Sequence, residues 1–191
     1  MSPAGPENRH TGRPDIVTLD SRIVYRNRWI RVLEDKIRRR DGSEGIYGVV
    51  EKANFVAVAA VQDGFIHLVE QYRYPVQERF WELPQGAWDH APDTDPEILA
   101  RGELREETGL EADSMVDAGE LCLAYGICTH RFHVFLATNL RQGEASPEIE
   151  EQDLVTHAFP LTRVEQMICG GIIKDAVTVS ALGLLKLKGL I

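Results

Sequence analysis

The chain has 191 residues, of which 43% are hydrophobic and 27% charged, and its formal net charge at pH 7 is −9. These values are typical of a soluble globular protein with one sizeable domain and room for a small appended one. The acidic balance argues against nucleic acid as the main partner, because phosphate backbones select basic surfaces. The sequence has no apolar run of membrane-spanning length and no signal-peptide core near its start.

The three cysteines of the chain are Cys122, Cys128 and Cys169. Their odd number and the absence of metal-ligand spacing predict free thiols, which are typical of a protein of the reducing cytoplasm. A disulfide between Cys122 and Cys128 is the alternative that the count leaves open.

The first 14 residues are rich in proline, glycine and polar side chains, which predicts a disordered arm at residues 1–14. Beyond the arm, apolar residues in extended patterns predict short strands, at residues 16–19, 22–25, 29–39 and 45–50. The Asp41-Gly42 pair between the last two is a hairpin turn signal. These two strands are therefore predicted to form a β-hairpin.

An apolar run at residues 55–61 predicts a strand that is buried on both faces. Further strands are predicted at residues 65–71, 80–83, 119–124, 133–138 and 155–159. The stretch 141–153 is polar and acidic, which predicts a loop. Thr162 and Glu165 form a predicted capping box at the start of one helix, and residues 175–188 form the last helix. Strands around a central helix, with two helices at the end, predict an α/β domain with a mixed sheet.

The central helix carries three glutamates, Glu103, Glu106 and Glu107, at positions i, i+3 and i+4. Side chains at this spacing share one helix face, and each pair of like charges costs about 0.2–0.5 kcal/mol. A bound divalent cation would offset the repulsion, because magnesium prefers oxygen ligands. The alternative is a solvated acidic face with Arg101 and Arg105 as local counterions.

Both ends of this helix are signalled in the sequence. Gly109 is the usual left-handed residue just beyond a helix end. At the start, either Thr94 or Asp95 can serve as the N-cap, with proline in the first turn. The predicted buried side consists of Ile98, Leu99 and Leu104.

The stretch at residues 82–110 resembles the Nudix box, the signature of a family of hydrolases. The matching positions are Gly86, Glu103-Leu104, Glu106-Glu107 and Gly109-Leu110. Two departures stand out. The spacing from Gly86 to Glu103 is two residues longer than in the family, and Gly102 stands where the family has arginine. The family's upstream glutamate falls near Thr94, so both ends of a possible Glu–Arg contact are absent together.

The layout beyond the box, including the sequences QYRYP, WELPQG and KDAVT, is similar to the ADP-ribose pyrophosphatase branch of the family. This resemblance implies a Nudix α/β/α sandwich at residues 53–191 and a small antiparallel β extension at residues 15–52 that mediates homodimerisation. It also implies metal-dependent hydrolysis of the pyrophosphate bond in a nucleoside diphosphate derivative. ADP-ribose or a related nucleotide sugar would give two monophosphates.

The resemblance assigns the metal ligands as well. Mg²⁺ or Mn²⁺ would be held by Glu103, Glu106, Glu107 and the backbone carbonyl of Gln85. Glu82 is expected to be a ligand or an outer-shell carboxylate, and the alternative is an exposed carboxylate at a strand end.

The catalytic base of similar hydrolases is a glutamate on a late loop. The Phe159-Pro160-Leu161 segment sets the register, and the matching position is near Gln152, whose amide cannot accept a proton near neutral pH. We therefore predict Glu151 as the base, with Glu150 as the second candidate and Glu106 as a further catalytic group. The alternative is a solvated acidic loop.

Substrate contacts are also implied by the resemblance. Trp29 and Tyr47 match aromatic residues that sandwich adenine across the dimer, and Lys52 and Arg73 match basic residues near the diphosphate. The alternatives are ordinary sheet packing for the aromatic residues and a surface cation for Arg73. His130 stands in a loop where similar hydrolases often have an acidic residue.

Two other functions remain open at this point. Gly102, Thr94 and Gln152 suggest a nucleotide-binding or sensing module with impaired catalysis. A nucleoside triphosphate pyrophosphohydrolase would share the box, but it does not explain the N-terminal extension.

Overall fold

The computed structural model describes residues 14–88, 91, 93–143 and 153–191. The chain divides into two compact units, Met1–Glu51 and Lys52–Ile191. All three cysteines are free thiols, so the disulfide alternative is wrong. None of the helices in the described part of the chain has the length and apolar character of a membrane-spanning segment.

The first unit is a three-stranded antiparallel sheet in the order β1-β2-β3. Its strands are β1 (Ile16–Arg26), β2 (Arg31–Arg39) and β3 (Glu44–Glu51). The two segments predicted at residues 16–19 and 22–25 are one strand, with pairing irregularities between Thr18 and Asp20 and between Ile23 and Tyr25. The predicted hairpin is confirmed, and Gly42 has the positive φ of 86° that its turn requires.

This first sheet buries very little. Ile37 is the only fully buried side chain among its described residues, and all of β1 is exposed. Large apolar side chains that remain exposed are Ile16, Val17, Leu19, Ile23, Val24, Tyr25, Trp29, Ile46 and Tyr47. An exposed apolar surface of this kind is typical of an interaction face.

The second unit contains seven strands and three helices among its described residues. They are β4 (Phe55–Gln62), β5 (Phe65–Arg73), β6 (Glu78–Glu82), β7 (Gln85–Gly86), α1 (Pro96–Thr108), β8 (Leu110–Cys122), β9 (Arg131–Gln142), β10 (Val155–Pro160), α2 (Leu161–Cys169) and α3 (Ala176–Leu187). The sheet order is β10-β5-β4-β9-β8, with β6 paired to β5 and β7 paired to β4. Only the β4–β9 pair is parallel among the described strands, so the predicted mixed sheet is confirmed.

The central strand β4 separates two hydrophobic layers, because successive side chains of a strand point to opposite faces. Ala57 and Ala59 face a core that includes residues of α2 and α3. Val56 and Val58 face a second core that includes residues of α1. Helices therefore cover both faces of the sheet, and the predicted α/β/α sandwich is confirmed.

Two local predictions are wrong. Strand β8 starts at Leu110, immediately after the helix, and not at residue 119; its pairing is interrupted between Asp117 and Gly119, where Gly119 has a φ of 118°. The predicted capping box at Thr162 does not form. Helix α2 begins at Leu161 and has Pro160 at its N-cap without a side-chain hydrogen bond, because β10 continues up to Pro160.

Candidate active site

Helix α1 carries the acidic face, and its ends are fixed as the sequence predicts. Asp95 is the N-cap: its Oδ1 accepts hydrogen bonds from the backbone N–H groups of Glu97 and Ile98 at 2.9 and 3.4 Å. Thr94 is not the cap and donates its hydroxyl to the Ala91 carbonyl instead. The helix ends at Gly109, which has a φ of 72°. Ile98 is 57% exposed, so its predicted burial is wrong, whereas Leu99 and Leu104 are buried.

The acidic face of α1 is not a solvated surface. Glu103 and Glu107 retain only 5% and 4% of their exposed area, and Glu106 is half-buried. Arg101 does not neutralise this face, because its guanidinium binds Glu97 at 2.8 Å and the Ala112 carbonyl at 2.7 Å. The alternative of a solvated face with Arg101 as counterion is therefore wrong for the two buried carboxylates.

A short turn after Glu82 meets this face of the helix. β7 pairs with the central strand, with Gln85 opposite Ala57 and Gly86 opposite Val56. The backbone N–H of Gln85 donates to Oε2 of Glu107 at 3.2 Å. Gly86 lies against the carboxylate of Glu103: a Cβ at this position would lie 2.6 Å from Cδ of Glu103. A side chain at this position would therefore displace the carboxylate of Glu103 from the place it occupies against the backbone.

Trp88 completes the contacts between the turn and the helix. Its indole Nε1 donates to Oε2 of Glu106 at 3.3 Å. Its ring packs on Gly102, since a Cβ at Gly102 would lie 2.8 Å from Cη2 of Trp88. The position where the family has arginine thus provides the space for an indole.

Glu82 is a buried partner of Arg73. It retains 2% of its exposed area, and Nε of Arg73 donates to Oε2 of Glu82 at 3.2 Å while Nη2 binds Oε1. Burial raises the pKa of Glu82 to about 7, and the guanidinium of Arg73 opposes this rise. The alternative of an exposed strand-end carboxylate is therefore wrong for Glu82, whereas Arg73 remains partly at the surface, with 41% of its side-chain area exposed.

A network at the start of α3 supports the same turn. Asp175 caps α3 and lies 3.5 Å from Nε2 of Gln85 through Oδ2. The hydroxyl of Thr178 donates to Asp175 at 2.7 Å and accepts the backbone N–H of Leu83 at 2.9 Å. Sequence analysis identified neither Thr178 nor Trp88. The only sequence feature that could have indicated a contact of Trp88 with α1 is the interior glycine of that helix, which leaves space for a large side chain.

Several predicted residues lie elsewhere or cannot be placed. Trp29 and Tyr47 belong to the first unit, where they are 46% and 39% exposed, so ordinary sheet packing does not bury them. Lys52 is exposed. The catalytic candidates Glu150 and Glu151, with Gln152, lie outside the described residues.

The described end of that late loop is held near α1. Arg79 binds the Asp153 carboxylate at 2.5 Å and the Asp153 carbonyl at 2.8 Å. Three residues later, the hydroxyl of Thr156 donates to the backbone carbonyl of Glu107 at 3.2 Å. The strand that follows the loop therefore contacts the last turn of the helix that carries the acidic face.

His130 and His133 have structural contacts within the sheet. His130 is 8% exposed, and its ring lies 4.6 Å from that of Phe55 between centroids. Burial lowers the pKa of His130 to about 4, and the charge of Lys52 contributes to this decrease. His133 binds Asp117 at 3.2 Å on β8, away from the turn.

The donor chemistry at the turn and helix fits a hard divalent cation. The side chains proposed for the role, Glu103, Glu106 and Glu107, are all carboxylates, and carboxylate oxygens are the ligands that a hard divalent cation prefers. Among the residues that the structure describes, no group of three or more His, Cys, Asp or Glu side chains is arranged so that it could hold a metal ion. The fit to a divalent cation therefore rests on the carboxylate chemistry of the donor set.

Comparison with known proteins agrees with this arrangement. Residues 16–50 match the N-terminal domain of nucleoside diphosphate sugar hydrolases. The chain is 32% identical to an ADP-ribose pyrophosphatase of Mycobacterium tuberculosis over 168 residues, which cover 87% of this chain and 81% of the relative. It is 28% identical to an ADP-ribose pyrophosphatase of Bacillus subtilis over 173 residues, covering 90% and 92% of the two chains.

The fold has a counterpart among solved structures. The crystal structure of an ADP compounds hydrolase superimposes with a TM-score of 0.81 at 22% identity, covering 93% of this chain and 96% of that one. An α/β/α sandwich in which a glycine turn meets a glutamate-rich helix defines the class. The chain belongs to the Nudix hydrolase family, in its ADP-ribose pyrophosphatase-like branch.

Proposed function

We propose that this chain hydrolyses the pyrophosphate bond of a nucleoside diphosphate derivative, ADP-ribose or a related nucleotide sugar, to two monophosphates with Mg²⁺ or Mn²⁺. The observation that carries the proposal is the pair of buried carboxylates, Glu103 and Glu107, held against the turn at Gln85 and Gly86. The similarity to ADP-ribose pyrophosphatases over most of the chain supports the substrate class.

The acidic face is the proposed metal site. Glu103, Glu106, Glu107 and the carbonyl of Gln85 would hold the ion, which when bound neutralises the pyrophosphate oxygens and lowers the pKa of a coordinated water. The chain itself fixes the ligands, because separate contacts from one turn hold each carboxylate. Ligands that are oriented before the substrate arrives need no reorganisation during the reaction.

Glu151, with Glu150 as the second candidate, is the proposed base that removes a proton from the attacking water. The contact of Thr156 with the backbone carbonyl of Glu107 supports this assignment, since it joins the strand that follows the late loop to the last turn of α1. Separate Glu151→Gln and Glu150→Gln variants test it, because the true base gives the larger loss of kcat and changes the pH profile of kcat. If the Glu151→Gln and Glu150→Gln variants had the same kcat as each other, the assignment of Glu151 as the base would be contradicted.

Arg73 and Lys52 are the proposed contacts of the diphosphate. Arg73 is fixed by buried Glu82 but remains partly exposed, with 41% of its side-chain area accessible. A guanidinium held in this way keeps its fork oriented, which suits recognition of phosphate oxygens. Glu82 is thus proposed as an outer-shell group that orients Arg73.

The first unit is the proposed dimerisation element, and Trp29 and Tyr47 are the proposed adenine contacts. The exposed apolar side chains of β1 and β3 support an interface, because such a surface is unfavourable in water. An Ile46→Glu variant should sediment as a monomer while the wild-type chain sediments as a dimer. A wild-type monomer at micromolar concentration would contradict the proposal.

The proposed setting is the cytoplasm, with a small nucleotide as partner and no nucleic acid. Three free thiols support a reducing compartment, and the net charge of −9 disfavours a phosphate polymer. A bound cation can still attract a small anionic substrate, because it inverts the local field.

The direct test is turnover of a substrate panel by the purified chain with Mg²⁺ or Mn²⁺. The panel contains ADP-ribose, a nucleoside diphosphate hexose and a nucleoside triphosphate, and products are separated by chromatography. ADP-ribose should give AMP and ribose 5-phosphate. A folded protein that turns over none of the three would overturn the proposal, and calorimetric binding without turnover would favour a sensing module.

A further inference from the structure

One short stretch of the chain, residues 85–88, contacts all three box glutamates, each in a different way. Gln85 donates its backbone N–H to Glu107, and the backbone of Gly86 leaves room for the carboxylate of Glu103. Trp88 donates its indole N–H to Glu106 at 3.3 Å. Two of these contacts are made by the backbone, so Trp88 is the one side chain among these three contacts.

The position of the indole depends on the glycine inside α1. Gly102 is buried, and a Cβ there would lie 2.8 Å from Cη2 of Trp88 and closer still to Cζ2. Glycine is a poor residue for a helix interior, so its presence requires a local reason. The reason here is steric, because any other residue would push the ring away from the helix.

The contact with Glu106 also has a chemical consequence. An indole N–H is a donor only and carries no charge. It can hold one oxygen of Glu106 without neutralising the carboxylate, whereas an arginine at position 102 would bring a positive charge close to a divalent ion. The neutral donor thus orients the ligand and leaves its full negative charge for the metal.

We propose that Trp88 is a positioning residue that orients Glu106 for the divalent cation, and that Gly102 exists to seat its indole. This inference rests on the proposed function only in assuming a metal on the acidic face. Outer-sphere partners of metal ligands commonly change affinity or activity by 10–100-fold when they are removed.

The first test measures Mn²⁺ binding, not turnover. Free Mn²⁺ is quantified by electron paramagnetic resonance in titrations of the wild-type chain and of Trp88→Phe, which retains a ring but has no donor. The variant should bind Mn²⁺ about tenfold more weakly or worse. The matched control is Trp81→Phe, which removes an indole N–H from β6, where the ring packs on Phe159. Equal affinity in the two variants would overturn the proposal.

Tryptophan emission supplies an independent signature. The chain has three tryptophans, and paramagnetic Mn²⁺ quenches an indole only at short range. Quenching on Mn²⁺ addition should be retained in Trp81→Phe and largely lost in Trp88→Phe. Quenching that persists in Trp88→Phe would place the ion away from this indole and overturn the proposal.

The second test is a double-mutant cycle between positions 88 and 102. Trp88 also lines an open cavity of about 390 Å³, together with Ile98, Arg101 and Arg105, so the ring has space to move aside. Gly102→Ala should therefore displace the indole without unfolding the helix and weaken Mn²⁺ binding about tenfold. In a Trp88→Ala background the same substitution should change affinity less than twofold. Equal effects in both backgrounds would contradict the seating role.

A rescue arm completes the cycle. Trp88→Ala with Gly102→Gln places a neutral amide donor at the family's arginine position and should recover part of the Mn²⁺ affinity that Trp88→Ala loses. No recovery would show that Glu106 does not depend on a donor here and would overturn the proposal.

The results separate this inference from the proposed function. A wild-type chain that binds Mn²⁺ but hydrolyses no diphosphate defeats the proposed function and leaves the role of Trp88 intact. A wild-type chain that hydrolyses the diphosphate, together with a Trp88→Phe variant of unchanged Mn²⁺ affinity, supports the proposed function and defeats the role of Trp88. A wild-type chain that binds no Mn²⁺ at all defeats both.

Discussion

The Lys52–Ile191 unit buries carboxylates, whereas the Met1–Glu51 unit exposes large apolar side chains. In the larger unit, Glu82, Glu103 and Glu107 are each at most 5% exposed. In the smaller unit, nine large apolar side chains are exposed, and Ile37 alone is fully buried among the described residues. Buried carboxylates and exposed apolar side chains are both unfavourable in an isolated chain. A bound cation would stabilise the first, and contact with an apolar or aromatic surface would stabilise the second.

The difference also shows where stability comes from. The larger unit has two hydrophobic cores on the faces of β4, so it can tolerate buried charge. The smaller unit relies on strand pairing and on exposed ion pairs such as Arg22–Glu34 and Arg38–Glu44, which contribute about 0–1 kcal/mol each. In the larger unit, we therefore expect substitutions of the buried carboxylates to impair function. In the smaller unit, we expect substitutions of the exposed aromatic rings to do so.

The largest expected effect is on a buried carboxylate. Glu107→Gln keeps the shape and the contact with Gln85 but removes a metal-binding charge, so kcat for ADP-ribose should fall at least 100-fold. Glu97→Gln is the control, since Glu97 is exposed on the same helix and pairs with Arg101. Steady-state kinetics at saturating Mg²⁺ measure both, and a Glu107 variant within tenfold of the control would refute the buried-charge account.

A somewhat smaller effect is expected from the turn. Gly86→Ala forces the carboxylate of Glu103 to move, because the new Cβ would occupy its place. We expect kcat to fall about 10–100-fold, as it does for groups that orient metal ligands. Gly183→Ala in α3 is the control, because its Cβ would meet no atom within 4 Å. Activity that is equal in both variants would show that the close approach has no functional role.

In the smaller unit we expect a binding effect and not a catalytic one. Trp29→Ala should raise KM for ADP-ribose about tenfold and leave kcat unchanged, since base stacking contributes about 1–3 kcal/mol. Trp29 is 46% exposed, so the unfolding temperature should barely change. A large loss of stability with unchanged KM would show that the ring packs the sheet and does not bind the base.

The smallest expected effect concerns a buried group that prefers to be neutral. The pKa of His130 in the folded chain is lowered to about 4 from an ordinary value of 6.5, mainly by burial. Below pH 6.5 the unfolded chain takes up a proton that the folded chain excludes, so stability decreases from pH 6.5 towards pH 4, by at most about 1.4 kcal/mol per pH unit.

Urea unfolding between pH 7 and pH 5 measures this contribution. His130→Gln should lose less stability over the interval than the wild-type chain, although it starts lower because it loses the ring contact with Phe55. Identical slopes in the two proteins would show that His130 does not contribute to the pH dependence.

Local patterns in the sequence predicted much of the second unit. The apolar run before residue 62 identified the central strand, and Gly109 identified the end of α1, because each is governed by neighbouring residues. The capping box at Thr162 failed because pairing of β10 through Pro160 sets the start of α2 from a distant strand. Strand β8 was missed in its first half, since polar and apolar residues there do not alternate cleanly.

The acidic residues of the candidate site could be predicted from the sequence, but the residues that contact them could not. Helical spacing placed Glu103, Glu106 and Glu107 on one face, and the resemblance to the Nudix box implied their role as ligands. The contacts of Glu106 with Trp88 and of Gln85 with Asp175 join residues that are 18 and 90 positions apart, so no local pattern can reveal them. Glycine at position 102 departs from the family pattern and is unfavourable inside a helix. The packing of the Trp88 ring against it, which the sequence does not show, explains its presence.

The turn at Gln85 and Gly86 is fixed by β4, and α1 is fixed independently by its Asp95 cap. The number of residues between Trp88 and Asp95 can therefore change without moving a ligand. A sequence motif that fixes the number of residues between the box glycine and the first glutamate does not match this chain. Relatives in this branch are better recognised by their two anchors than by the distance between them, and that segment is the natural place to insert a tag or a reporter peptide.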